Sequence, residues 1–324
     1  MLYPIKFKPI LFEKIWGGTK LQTVFQKNTK ALKNVGESWE ISSVEGNVSV
    51  VKNGFLKGNT LNEIVEVYMA DLLGERIYKR FGEEFPLLIK LIDASEVLSI
   101  QVHPDDTLAR ERHHAYGKTE MWYVLQAEPD AFVISGFNKD VTREEYLDCL
   151  LQGKVETLLN KVPAHKGDVF FIPAGRVHAI GKGVLLAEIQ QTSDITYRIY
   201  DWHRHDKNGQ ARELHTDLAL DAIDFSKTIE PKIIYKTDVN KVIPLVTCPY
   251  FKTNLITLTE PLERHYALLD SFVILMAIEG QGILEHADGK EPYHKGETIL
   301  IPADLEKIML CPDRLTTWLE IYIP

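Results

Sequence analysis

Most apolar segments of this chain are short, and most are bounded by glycine, proline or aspartate. Residues 85–92, 122–125, 131–135 and 184–189 are examples, and they are rich in β-branched and aromatic residues. Short runs of this composition between turn residues are typical of β-strands. The pattern therefore predicts a mainly β protein.

Helical periodicity is confined to fewer segments. Thr60 followed by Glu63 forms a capping-box pattern ahead of the periodic residues 61–69. Thr142 repeats this pattern, and leucine and valine then recur at helical spacing as far as residue 159. We expect one helix beginning at residue 61 and a second over residues 142–159.

The chain contains an internal repeat. Residues 165–175 (HKGDVFFIPAG) and 294–304 (HKGETILIPAD) are identical at six of eleven positions. A strand–turn–strand pattern precedes each copy, at residues 122–135 and 272–285. Because self-similarity of this kind marks a duplicated structural unit, the repeat predicts two β-barrel units.

The first unit is the larger one, and the helix over residues 142–159 falls inside its insertion. The boundary is expected near residues 230–243, where Glu230-Pro231 and a lysine-bearing stretch separate the units. The sequence thus predicts one domain of residues 1–235 and a second of residues 236–324.

Composition excludes several classes of protein. The 324 residues carry 37 Lys and Arg against 46 Asp and Glu, a formal net charge of −9, which disfavours general binding of nucleic acid or anionic membranes. Cys149, Cys248 and Cys311 are odd in number and far apart, so reduced thiols are expected. No signal-peptide core or membrane-spanning run is evident, and we expect a cytoplasmic protein.

The first repeat copy carries a motif with a recognisable geometry. The pattern Gly167-x5-Pro173-x-Gly175-x2-His178 resembles the second signature motif of the cupin superfamily. A turn leads into a buried strand, a second turn follows, and the histidine then projects from the next strand. The resemblance implies a fold of two cupin-type jelly-roll barrels, with a few helices inserted in or flanking the first.

Four residues of the first unit form a candidate metal site. Residues 98–103 alternate, and Gln101 and His103 share the polar face of that strand. Glu120 lies in an aromatic-rich strand, and His178 completes the set. Such nitrogen and oxygen ligands suit zinc, and also manganese, iron or cobalt.

The second unit has lost these ligands according to the repeat alignment. Asp304, Lys307 and a position near Ser271 take the places of Gly175, His178 and Glu120. We therefore expect a structural or lid-forming second barrel. Of the other histidines, His203 and His205 are expected in a solvated loop.

Four motifs together are similar to the type I phosphomannose isomerases, in their short bacterial class. They are Gln101-Val-His103-Pro-Asp105, Gly117-Lys-Thr-Glu120-Met-Trp122, Pro173-Ala-Gly-x-x-His178 and the segment from Glu188 to Trp202. Trp16-Gly-Gly18 and Gly36-Glu-Ser-Trp-Glu40 also resemble that class. The resemblance extends from about residue 3 into the second barrel.

This resemblance implies a zinc-dependent interconversion of mannose 6-phosphate and fructose 6-phosphate, with one Zn²⁺ per chain. It implies Gln101, His103, Glu120 and His178 as ligands. Arg198, Lys118 and Asp194 fall on its active-site positions, and Arg198, Lys118 and Trp16 are expected to contact the substrate. The partner is a small phosphorylated sugar, and the chain is expected to be a monomer or small homo-oligomer.

The residues fit this chemistry. Isomerisation through an enediolate needs a base, stabilisation of an oxyanion and an anchor for phosphate. Arg198 could supply either of the last two functions. Lys118 lies two residues before Glu120 and on a strand would face the same cavity. The base is left open among Lys118, Asp194, a metal-bound water and a histidine.

Two other functions are compatible with a duplicated barrel. One is a cupin oxygenase that uses iron, nickel or copper. The other is a non-catalytic bicupin that binds a sugar phosphate. The polar first barrel with Arg198 favours the isomerase over the second of these.

Overall fold

The computed structural model describes residues 2–29, 32–205 and 209–324. The described strands, in chain order, are β1 (Ile5–Lys8), β2 (Ile10–Gly18), β3 (Val35–Ile41), β4 (Val50–Val51), β5 (Leu87–Ala94), β6 (Ile100–Val102), β7 (Glu120–Ala127), β8 (Phe132–Phe137), β9 (Leu159–Pro163), β10 (Val169–Ile172), β11 (His178–Ile180), β12 (Val184–Gln191), β13 (Tyr197–Tyr200), β14 (Lys241–Thr247), β15 (Lys252–Leu258), β16 (Leu262–His265), β17 (Val273–Glu279), β18 (Gln281–His286), β19 (Gly289–His294), β20 (Thr298–Ile301), β21 (Lys307–Pro312) and β22 (Thr316–Tyr322).

The described α-helices are α1 (Lys20–Phe25), α2 (Leu61–Leu73), α3 (Glu75–Phe81), α4 (Asp106–His113), α5 (Arg143–Leu151) and α6 (Thr216–Ala222). Strands outnumber helices, and the predicted mainly β class is confirmed. Within the described residues, no helix combines the length and the apolar character needed to span a bilayer.

The chain folds into two compact units, and each is built from separate segments. The C-terminal unit comprises Met1–Ile10, Trp39–Ile89 and Ile234–Pro324. Its sheets have the strand orders β14-β15-β22-β17-β20-β1-β4 and β16-β21-β18-β19. Apolar side chains of these sheets form a core that includes Tyr293 and Trp318, whose ring centroids are 4.4 Å apart.

The central unit comprises Leu11–Ser38 and Lys90–Ile233. It contains the five-stranded sheet β13-β6-β11-β8-β9 and most of the six-stranded sheet β10-β7-β12-β5-β2-β3. The predicted domains 1–235 and 236–324 stay a prediction, because the two compact units are defined by contacts and not by function.

Both predicted helix starts are observed. The Thr60 side chain accepts a hydrogen bond from the Glu63 backbone N–H while the Glu63 carboxylate accepts one from Thr60, which completes the capping box of α2. The α2 assignment extends beyond residue 69 to Leu73, with non-helical φ and ψ at Met69. Thr142 likewise caps α5 by accepting from the Glu145 N–H.

The second predicted helix is too long. It ends at Leu151, and Gly153 follows with φ +65°, in the left-handed region that favours glycine. A short 3-10 helix then runs over Val155–Leu158, and Leu159 already begins β9. The apolar residues of this segment are thus divided between a helix, a 3-10 turn and a strand.

The strand pairing shows which residues occupy equivalent positions in the two copies of the internal repeat. In the first copy Ile172 pairs with Glu120, and in the second copy the equivalent Ile301 pairs with Val273. The counterpart of Glu120 is therefore Val273, which lies near Ser271 as the repeat alignment predicted. Because valine has no ligand atom, this position cannot supply the carboxylate.

Candidate metal and active site

Three buried side chains of the central unit converge at one point. His103 directly follows β6, Glu120 begins β7 and His178 begins β11, and each is at most 1% exposed. One ligand atom from each side chain lies within 4.8 Å of the others. Within the described part of the chain, this is the group of His, Cys, Asp and Glu side chains with the spacing of a metal site.

Backbone carbonyls hold both imidazoles in one tautomer. His103 Nδ1 lies 2.8 Å from the Ile195 carbonyl oxygen, and His178 Nδ1 lies 2.7 Å from the Arg176 carbonyl oxygen. Because a carbonyl only accepts, each Nδ1 carries the proton and each Nε2 presents a lone pair. These Nε2 atoms lie 3.6 Å and 3.4 Å from the two oxygens of Glu120.

Burial keeps both histidines neutral. It lowers the pKa of His178 to about 3 and lowers the pKa of His103 well below its usual value. A neutral imidazole is the form that coordinates a metal. The two side chains are therefore prepared for coordination at neutral pH.

Glu120 has one charged partner, since Lys118 Nζ lies 2.8 Å from Oε2. Among the described residues, neither carboxylate oxygen, although buried, has a hydrogen bond of good geometry. Burial raises the pKa of Glu120 because the charged form is desolvated. A divalent cation among these oxygen and nitrogen donors would satisfy the carboxylate, so the residues fit a metal.

Lys118 faces this cluster although it precedes β7. Its Nζ lies 3.0 Å from His103 Nε2 as well as 2.8 Å from Glu120 Oε2. The expectation that Lys118 faces the same cavity as Glu120 assumed a continuous strand, whereas β7 begins only at Glu120. Lys118 places a positive charge directly beside two of the candidate ligands.

Four polar side chains form a row across neighbouring strands of the five-stranded sheet. Arg198 pairs with Gln101, Gln101 pairs with His178, and His178 pairs with Ser135. Directly paired residues share one face of a sheet, so all four side chains lie on the face of His178. Gln101 Nε2 is 3.2 Å from His178 Nε2, and flipping the amide would present Oε1 to the same place.

Arg198 is hydrogen-bonded to the segment that follows β13. Its Nη1 donates to the Glu213 carbonyl oxygen at 2.8 Å, and its backbone N–H donates to His215 Nδ1 at 3.1 Å. Its Nε is buried without a partner. Burial lowers the pKa of the guanidinium, but arginine remains charged, so it offers a donor to an anion.

Two further predicted residues lie elsewhere. Asp194 is exposed, and among the described residues no contact joins it to the cluster. Trp16 is 4% exposed and packs in an apolar core with Ile92 and Trp122. Their predicted catalytic and substrate-binding roles stay predictions.

Lys90 and Glu188 form a buried ion pair that our sequence analysis missed. Lys90 Nζ lies 3.0 Å from Glu188 Oε1, and Trp122 Nε1 donates to Oε2 at 2.9 Å. Burial alone would raise the pKa of Glu188, but the cations of Lys90 and Lys118 hold it below its usual value. One signal was available, because Lys90 is the single charge in the apolar run 85–92 and Glu188 is the single charge in the apolar run 184–189.

The C-terminal unit retains the counterpart of this carboxylate. Glu188 pairs with Trp122, and Glu320 pairs with Leu275 at the equivalent register. Glu320 is fully buried and accepts hydrogen bonds from Arg264 Nε and Tyr266 Oη, each at 2.8 Å. The second barrel therefore has a buried carboxylate at the equivalent position, where its cation, Arg264, is partly exposed.

The other sequence expectations have simple outcomes. His203 and His205 are exposed, in line with a solvated loop, whereas residues 206–208 at the end of that loop lie outside the described residues. Cys149, Cys248 and Cys311 are free thiols, each partly buried.

The architecture and the cluster define a class of protein, a mainly β protein with a buried cluster of side chains that could hold a metal. Comparison with family models narrows this class. The catalytic-domain model of type I phosphomannose isomerase matches residues 5–148, and the cupin-domain model of mannose-6-phosphate isomerase matches residues 241–311.

Two curated relatives extend over nearly the whole chain. Mannose-6-phosphate isomerase ManA of Bacillus subtilis is 36% identical over 310 residues, which is 95% of each chain. Mannose-6-phosphate isomerase of Streptococcus mutans is 33% identical over 93% of each chain.

Solved structures agree with the family models. The mannose 6-phosphate isomerase of Bacillus subtilis superposes with a TM-score of 0.89 at 34% identity, covering 98% of this chain and 99% of that one. A variant of the Salmonella typhimurium phosphomannose isomerase gives 0.79 at 17% identity over 99% of this chain and 100% of that one, which supports the fold alone. The chain belongs to the type I phosphomannose isomerase family, and the predicted cupin fold is confirmed.

Proposed function

We propose that the chain interconverts mannose 6-phosphate and fructose 6-phosphate through an enediolate, with zinc as its metal. The observation that carries the proposal is the buried cluster of His103, Glu120 and His178 in a member of this family. The activity named for the Bacillus subtilis and Streptococcus mutans relatives supports the substrate pair. It also favours an isomerase over an oxygenase or a non-catalytic sugar-phosphate binder.

In this proposal His103, Glu120 and His178 hold the metal, with Gln101 as the fourth ligand. Two neutral imidazoles, a carboxylate and an amide oxygen would hold the metal, and binding of a sugar oxygen would then require expansion to five ligands, which zinc allows. The bound cation supplies Lewis-acid stabilisation to oxygen atoms of the sugar. The carbonyls of Ile195 and Arg176 keep both imidazoles oriented for this task.

Lys118 is our candidate for the group that moves the proton between the sugar carbons. Its Nζ lies within 3.0 Å of two of the proposed ligands, whereas Asp194 is exposed. To take the proton from one sugar carbon and return it to the other, Lys118 would have to react as the neutral amine. General acid–base catalysis requires the group to be within hydrogen-bond reach of the reacting atoms.

Arg198 is proposed to bind the anionic part of the substrate. It lies beside Gln101 in the sheet, and its buried Nε has no partner in the protein. A guanidinium can donate two parallel hydrogen bonds to a phosphate or an enediolate oxyanion. Such local cations allow a protein with a net charge of −9 to bind a small anion.

A coupled assay for fructose 6-phosphate, combined with elemental analysis, tests the proposal. We expect one zinc per active chain, loss of activity after chelation and recovery when zinc is added back. His178→Gln should lose zinc and activity together. The control His294→Gln changes an exposed histidine of the C-terminal unit and should retain both. Full activity in metal-stripped protein would contradict the metal assignment, and no product from zinc-replete protein would contradict the reaction.

A further inference from the structure

A buried glutamine lies beside the candidate metal site and has no role in the proposed function so far. Gln190 in β12 pairs directly with Glu120 in β7, and it is fully buried. Paired residues share one face of a sheet, so the Gln190 side chain lies on the face of Glu120. The hydrogen bond between Trp122 and Glu188, the next pair on this face, shows that the face is interior.

The orientation of the Gln190 amide is determined by its neighbours. Its Nε2 donates to the carbonyl oxygens of Gln191 at 2.8 Å and Ser193 at 2.6 Å. Because carbonyl oxygens only accept, they identify the nitrogen end of the amide. Both N–H groups are therefore used, and Oε1 is the remaining polar atom of the side chain.

Gln190 Oε1 is buried, and no hydrogen-bond partner for it is found among the residues that the structure describes. A buried acceptor left unsatisfied destabilises the folded state, and most such atoms in proteins have a partner. When a cation is bound, the neighbouring Glu120 is an ionised carboxylate that only accepts, so it does not supply the hydrogen. A molecule that binds at the cluster would supply the missing donor.

We propose that Gln190 Oε1 accepts a hydrogen bond from an O–H group bound beside Glu120. This inference rests on the proposed function, which supplies two sources of such a group: a hydroxyl of the sugar phosphate, or a water molecule on the metal. With a sugar hydroxyl as the donor, Gln190 would determine specificity for a polyhydroxylated ligand, and with a metal-bound water it would support the metal site. Its short link to the backbone of Gln191 and Ser193 gives the acceptor one orientation before the ligand binds.

Two variants distinguish the effect of losing the acceptor Oε1 from the effect of losing Nε2, which anchors the side chain. Gln190→Met preserves the length of the side chain and removes the acceptor, whereas Gln190→Glu retains an acceptor oxygen. Both variants lose the two hydrogen bonds that Nε2 donates. An effect of lost anchoring should therefore appear in both variants, and an effect of the lost acceptor only in Gln190→Met.

The probes are hexitol 6-phosphates, which carry the hydroxyls of the open-chain sugar but cannot isomerise. Calorimetry of zinc-loaded protein would compare the parent compound with its monodeoxy analogues in a double-mutant cycle. If a sugar hydroxyl is the donor, the wild-type protein should bind one analogue about 10-fold more weakly than the parent. Gln190→Met should bind that analogue and the parent equally well.

If a metal-bound water is the donor, the double-mutant cycle should show no interaction energy between the Gln190→Met substitution and the removal of any ligand hydroxyl. In that case zinc affinity, measured without sugar, should fall several-fold in Gln190→Met and be retained in Gln190→Glu. Absence of both effects would overturn the proposal, as would equal weakening of all ligands by both variants. The coupled assay for fructose 6-phosphate tests the proposed function separately. If wild-type protein binds no hexitol phosphate, the zinc measurement alone decides the role of Gln190.

Discussion

Replacing Lys90 by methionine should destabilise the central unit strongly. Lys90 Nζ lies 3.0 Å from Glu188 Oε1, and both side chains are at most 8% exposed. Methionine preserves most of the buried volume but removes the ammonium group. The Glu188 carboxylate would then retain the Trp122 indole N–H, 2.9 Å from Oε2, while it loses the Lys90 cation.

The expected loss is about 3–5 kcal/mol in the free energy of unfolding, the range for breaking a buried ion pair by removing one partner. A surface ion pair would lose far less because water screens both charges. Lys90→Met with Glu188→Gln should recover most of the loss, since glutamine is neutral and still accepts from Trp122. Urea denaturation of the two single variants and the double variant measures the coupling directly.

Lys182→Met provides a matched control. Lys182 Nζ pairs with Glu96 at 2.9 Å, almost the same distance as in the buried pair, but the two side chains are 60% and 56% exposed. This substitution should leave stability unchanged within error. A Lys90→Met variant as stable as Lys182→Met, or a double variant no more stable than Lys90→Met, would refute the reasoning from burial.

Two further changes have defined outcomes. Arg198→Ala should reduce turnover severely while zinc content stays intact, and loss of metal from this variant would identify the arginine as structural instead. Asp201→Asn should destabilise the protein at neutral pH. Burial alone would raise the pKa of Asp201, but two arginines hold this pKa below its usual value. The Nη2 atoms of Arg212 and Arg204 each donate to Asp201 Oδ1 at 2.5 Å. The stability that the Asp201 carboxylate contributes is therefore fully present above the usual aspartate pKa. It is lost as the pH falls through the lower pKa that Asp201 has in the folded protein. The denaturation midpoints of wild type and Asp201→Asn should converge in acid, and a constant difference at all pH values would contradict the titration argument.

Local signals in the chain were sufficient for several strands, for two helix starts and for the candidate metal ligands. Short apolar runs predicted the strands, because alternation and composition are properties of neighbouring residues. The capping boxes at Thr60 and Thr142 also depend only on residues three positions apart. The helix predicted over residues 142–159 failed at its end, where Gly153 turns the chain and Leu159 joins a neighbouring strand.

The sequence by itself determined the duplicated barrel, the candidate ligands and the loss of those ligands in the second copy. Each of these is readable from a motif or a repeat within one segment. Only the tertiary structure decided that Lys90 reaches Glu188, that Gln190 lies opposite Glu120, and that Val273 replaces that carboxylate. These relationships depend on the register between strands distant in the chain, and burial then determines which polar atoms lack a partner.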